Sequence, residues 1–271
     1  MASSGERRLV FDTQGKRKHV VRVVYAILAL LMGGSLFLVI GPVNIGELLG
    51  NSTTGSSATE VLEEQAERIE RRLAKDPKNE QLLLALTRAR INAGNSQVEV
   101  VSETEAPTVT AEAREDFERA SAAWSRYLKQ AGDEPSATGA QLVASTFFRL
   151  AESGSTSLEE IEGNIALAAQ AQRIAAEQQP NVGSLSTLAI YEYFNGNFAA
   201  GEKAGKQAAA KVPGKSEAQS IEKQLAQYRK RAAQFRKGVE QAAKQIQQGS
   251  KGAGKEALQN PFGGLGGVPS E

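Results

Sequence analysis

The chain has 271 residues, no Cys, one His (His19), 26 Gly and a formal net charge of +1. The missing Cys excludes disulfides, thiol nucleophiles and thiolate metal sites, and a lone His argues against His-pair metal sites and a His-based catalytic triad. With 41 alanines and only 6% aromatic residues, the composition points to helices, not to an all-β fold.

In chain order, the first segment, residues 1–22, is basic. Arg7, Arg8, Lys16, Arg17, Lys18 and Arg22 stand against Glu6 and Asp12. Val23 to Ile40 then runs without a charge, and the next charged residue is Glu47. About twenty such residues suffice to cross a bilayer, so a transmembrane helix is predicted over 23–45. No Lys or Arg follows until Arg68, so the positive-inside bias puts the N-terminus in the cytoplasm. The expected location is therefore the plasma membrane, single-pass, with the C-terminal body outside the cytoplasm. Residues 46–57, rich in Gly, Ser and Thr, read as a flexible linker.

Helical patterning follows from residue 58. Val61, Leu62, Ala66, Ile69 and Leu73 recur at three-and-four spacing, with Ser57 and Glu60 at capping-box separation. Asp76-Pro77 stops that helix, and the next is predicted from Glu80 to Ala93, before Gly94. Residues 95–110 are acidic, β-branched and broken by Pro107, and read as an inserted loop with room for a short strand at Val98–Val101. Further helices are predicted at 111–131, 137–152, 158–178, 183–195 and 198–211. A long last helix is expected over 214–248, starting at Ser216. The Gly-rich tail, 249–271, lacks periodicity and reads as disordered.

Helix pairs separated by Gly and Pro turns indicate an α-solenoid, here spanning 58–213. Asp76-Pro77-Lys78-Asn79, with Leu83, Leu86 and Gly94, resembles the turn and first helix of the tetratricopeptide repeat family. Ala120, Trp124 and Tyr127 are similar to its second helix. The clearest unit is 183–213, where Leu185, Leu188 and Ala189 resemble the first-helix core and Gly196-Asn197-Phe198 the turn; Gly201, Gly205, Ala208 and Pro213 keep the later spacing. The sequence departs from the family at Thr87, Arg90, Gln172 and Gly205. The resemblance implies a scaffold that binds peptides or proteins, with Leu83, Leu86, Ala120, Trp124, Leu185, Leu188, Ala189 and Ala208 as repeat core, and carries over no catalytic residue.

Gly249 to Lys255 fits the phosphate-loop spacing, but Glu256 stands where Ser or Thr would bind magnesium, and the preceding pattern is helical. Charge is more informative. Residues 47–202 carry 13 basic and 24 acidic side chains, whereas 203–256 carry 13 basic and 4 acidic. The basic last helix either folds back on the acidic body or presents a surface to an anionic lipid, polymer or protein. Ala218, Ile221, Leu225, Tyr228, Ala232, Phe235, Val239, Ala242 and Ile246 form a heptad seam along it. Its first turns are expected to pack on the last repeat, leaving Phe235, Val239, Ala242 and Ile246 as a seam for a partner.

The fold class expected is thus all-α: a single N-terminal transmembrane helix, then a tetratricopeptide-like solenoid closed by a long capping or coiled-coil helix. The function expected is non-enzymatic: a membrane-anchored scaffold for protein–protein interaction, with no cofactor, no metal and no nucleic acid. Its layout resembles that of membrane-anchored repeat proteins that assist secretion or envelope assembly. The alternative is a dimeric spacer joined through the C-terminal coiled coil.

Overall fold

The computed structural model describes residues 58–99, 108–153 and 155–247, with side chains omitted at 153 and 245–247. All belong to one compact unit. Eight helices occur among the described residues: α1 (Ala58–Leu73), α2 (Glu80–Ser96), α3 (Ala111–Leu128), α4 (Ala137–Ser153), α5 (Leu158–Gln178), α6 (Val182–Phe194), α7 (Phe198–Ala210) and α8 (Lys215–Gln247).

Local chemistry explains where several of these helices begin. Asn79 caps α2 by accepting from the Leu82 amide at 3.0 Å, and Thr110 caps α3 by accepting from Ala113 at 3.1 Å. Ser157 accepts from Glu160 N–H at the start of α5. Asn181 and Ser184 form a reciprocal capping box at α6. Each cap satisfies an amide that the first helical turn leaves without a carbonyl.

Helix α3 stops three residues earlier than expected, at Leu128. Gly132, at φ +58°, reverses the chain, and the Ser136 amide donates to the Tyr127 hydroxyl at 2.6 Å. The segment expected as a loop at 95–110 starts two residues later and carries a short strand where one was expected. Asn95 and Ser96 belong to α2, and β1 (Val98–Glu99) pairs antiparallel with β2 (Thr108–Val109), Val98 opposite Val109. Both valines lie half-buried against the core; residues 100–107 lie outside the described residues.

The helices pack mainly with their neighbours in sequence: α2 with α3, α4 with α5, α6 with α7. The first hairpin is covered by α1, which lies on α2, and the last by α8, which lies on α6 and α7. One continuous core results, with Leu83, Ile91, Trp124, Tyr127, Ile161, Ile165 and Phe194 fully enclosed. Glycines let neighbouring helices close in: a Cβ on Gly94 would sit 2.8 Å from the Phe117 ring, and one on Gly201 would sit 2.5 Å from the Tyr193 ring.

The expected membrane-spanning element is not part of this architecture. Among the described residues no helix is long and apolar enough to cross a membrane. Segment 23–45, the basic residues Arg7, Arg8, Lys16, Arg17, Lys18 and Arg22, the linker 46–57 and the tail 249–271 all lie outside the described residues.

Candidate protein-binding face

All eight residues expected as repeat core are buried: Leu83, Leu86, Ala120, Trp124, Leu185, Leu188, Ala189 and Ala208. The departures from the repeat pattern have local physical reasons. Gln172 is enclosed and donates from Nε2 to the Ser184 carbonyl at 2.9 Å, tying α5 to α6. Gly205 faces α8, where a Cβ would meet Leu225 Cδ1 at 2.9 Å, so an aromatic there would push the last helix away. Thr87 returns its hydroxyl to the Leu83 carbonyl.

Arg90 is the centre of a buried polar clamp. It donates to Glu70 of α1 and to Asp116 of α3, both at 2.7 Å, with the Arg90 side chain 4% and the Asp116 side chain 7% exposed. Burial opposes the guanidinium charge, but the two carboxylates outweigh it and hold its pKa above the ordinary arginine value. Gln97 completes the clamp, donating to Asp116 Oδ2 and Glu63 Oε1. Glu192, fully enclosed on α6, is likewise satisfied by Arg173 and by Asn197 Nδ2. These are structural ties: Arg90, Asp116 and Glu192 are buried, and among the described residues no His, Cys, Asp and Glu group could hold a metal.

The seam on α8 is corrected by the structure. Phe235, Val239 and Ala242 are buried, as Leu225 and Ala232 are. Phe235 meets Phe194 edge-on at 5.7 Å between ring centres, and Arg236 reaches Glu162 of α5 at 2.9 Å. The helix continues along its own domain past the point where it was expected to run free. The side chain of Ile246 lies outside the described residues.

Polar and aromatic contacts also link α2, α4 and α6 at the surface. Arg149 of α4 donates to Asn95 of α2 at 2.6 Å, and Arg88 of α2 donates to Thr138 of α4. On the other side of α4, Phe148 stacks on Tyr191 of α6, with 4.0 Å between ring centres, and meets Phe194 edge-on. A ladder Tyr191–Phe148–Phe194–Phe235 thus joins α4, α6 and α8. Tyr191 and Glu152 are half-buried at its edge, and Arg149 is exposed. Burial raises the Glu152 pKa above the ordinary carboxylate range; burial, with the nearby Glu152 charge, raises that of Tyr191.

Two open clefts lie elsewhere. One, of about 230 Å³, is floored by Phe117, Phe147 and Leu150 beneath the Arg114–Glu160 ion pair. The other, of about 390 Å³, lies between Leu73, Pro77, Leu86 and Arg126. In the first, the Ser121 hydroxyl donates to the Glu118 backbone carbonyl.

Sequence reasoning did not single out Arg149 or Glu152. Their place one and four residues after Phe148 was a weak signal, because only the pairing of α4 with α6 shows which side of Phe148 stays open. No protein-family profile, curated protein or solved structure matches the chain.

Proposed function

We propose that the chain is a helical-hairpin scaffold that binds a segment of a partner protein along the face shared by α2, α4 and α6. The observation that carries this reading is the aromatic ladder ending at half-buried Tyr191, with Glu152 near enough for its charge to act on the Tyr191 hydroxyl. Tyr presents a large apolar ring with a polar tip at little conformational cost, which suits it to reversible contact with a peptide. Arg149 and Glu152 offer opposite charges one helical turn apart, able to orient a bound backbone or side chain. Stacked hairpins present such faces as extended surfaces, and the tetratricopeptide resemblance supports the same use. A role in secretion or envelope assembly would follow from the identity of that partner.

The test is a photo-crosslinking amino acid at position 191, compared with one at Gln170, which is exposed on α5. The reading expects a covalent adduct with a defined polypeptide at 191 and none at 170. Equal labelling at both positions, or labelling at 170 alone, overturns it.

A further inference from the structure

The most ordered feature outside that face lies on α8. Lys223, Gln227, Lys230, Gln234, Lys237, Gln241 and Lys244 alternate by four and three, and all seven are exposed. Successive lysines are about 10.5 Å apart along the axis, so the row extends for about 32 Å. Lys237 lies two residues from buried Phe235 and Val239 on either side, and Lys230 lies two residues from half-buried Tyr228 and buried Ala232. The row therefore runs down the side of the helix opposite its seam.

The arginines of the same helix are used differently. Arg229 pairs with Glu202 at 3.0 Å and lies over the Phe198 ring, Arg236 pairs with Glu162, and Arg231 lies over the Tyr228 ring. Lys223, Lys230 and Lys237 make no ion pair among the described residues, and Lys244 pairs only with Glu240 of its own helix. Arg229 and Arg236 thus reach other helices, while the lysines face outward in register.

The shape of this charge selects its partner. The row is one residue wide, flanked by neutral glutamines, with Glu222 and Glu240 on the same helix. A flat anionic membrane would face those carboxylates as well, and the apolar side that an interfacial helix needs is already buried on the repeats. Duplex nucleic acid places a phosphate about every 3.4 Å along each strand, so lysines at this spacing would meet about one in three. A second α-helix with a carboxylate at every seventh residue repeats at the same interval as the lysines, as charge pairs flanking a coiled coil do.

We infer that the Lys223–Lys244 row is a docking surface for an acidic helix of a partner protein, bearing carboxylates at seven-residue intervals. This surface is separate from the Tyr191 face and does not depend on it.

The experiment measures binding of two labelled, hydrocarbon-stapled helical peptides to the full chain by fluorescence anisotropy at low salt. Both have the same composition; one has Glu at every seventh position, the other at every fifth, which spirals the charges around the helix. The in-register peptide should bind about tenfold more tightly, and the difference should shrink at high salt. Lys230→Glu with Lys237→Glu should abolish the preference; Lys230→Gln with Lys237→Gln should weaken it. Lys203→Glu with Lys206→Glu, the same charge change on α7, should leave it. Equal binding of the two peptides, binding of neither, or indifference to the row substitutions overturns the proposal. So does row-dependent binding of phosphatidylglycerol vesicles or duplex DNA that is tighter than that of the in-register peptide.

Discussion

Replacing Arg90 by Leu tests how the first hairpin is held. The guanidinium joins three helices, because α2 carries it while Glu70 and Asp116 come from α1 and α3. Glu70 can turn to water, its side chain being 38% exposed, but Asp116 is 7% exposed and would keep only Gln97. Removing one partner of a buried ion pair costs about 3–5 kcal/mol, because the other charge stays enclosed. For a domain of this size each kcal/mol lowers Tm by about 2–4 °C, so a fall of about 6–20 °C is expected. Arg90→Leu with Asp116→Leu removes both charges, and the double variant should be more stable than Arg90→Leu alone. Thermal and urea unfolding give the magnitudes, and hydrogen exchange should show α1 losing protection first. A loss for Arg90→Leu below about 1 kcal/mol, or additive losses in the cycle, would refute the clamp.

On α8, Leu225→Asp and Val239→Asp should both destabilise the domain, each by about 3 kcal/mol or more in urea unfolding, since each puts a carboxylate into the core. A cost below about 1 kcal/mol for Val239→Asp alone would show that the second half of the helix is undocked. Gly201→Ala should lower stability by about 1–3 kcal/mol, because its methyl would also sit 2.9 Å from the Ala189 carbonyl oxygen. Gly163→Ala, whose methyl meets nothing within 4 Å, should instead raise it by about 0.5–1 kcal/mol. Glu152→Gln should stabilise the protein at neutral pH and not in acid. Burial raises the folded-state pKa, so the stability of the protonated form is present below the ordinary glutamate range and lost as pH rises through the raised value. A Tm difference independent of pH would contradict that origin.

Much of this architecture is legible in the residues alone. Seven of the eight helices begin within one residue of where apolar spacing, caps and Gly or Pro breaks place them; for the other, α1, Ser57 lies outside the described residues. Those signals are local: each depends on side chains within one or two turns of each other, and Asn181 with Ser184 acts through its own backbone. The core was legible for the same reason, because the stripes of Leu83, Trp124 and Leu188 leave one face to bury.

What the tertiary structure decided depends on which helix lies beside which. Arg90 reads as a misfit in a repeat until α1 and α3 bring two carboxylates to it. Gly205 reads as a gap until Leu225 of α8 closes over it. The α8 seam shows the limit most clearly, since a three-and-four stripe is the same whether its own domain or a second chain covers it. The arrangement that buries Phe235, Val239 and Ala242 on this domain also turns the lysine row outward. A periodic pattern specifies that a face must be covered, and only packing specifies by what, because burial rewards contact with any apolar surface of the right shape.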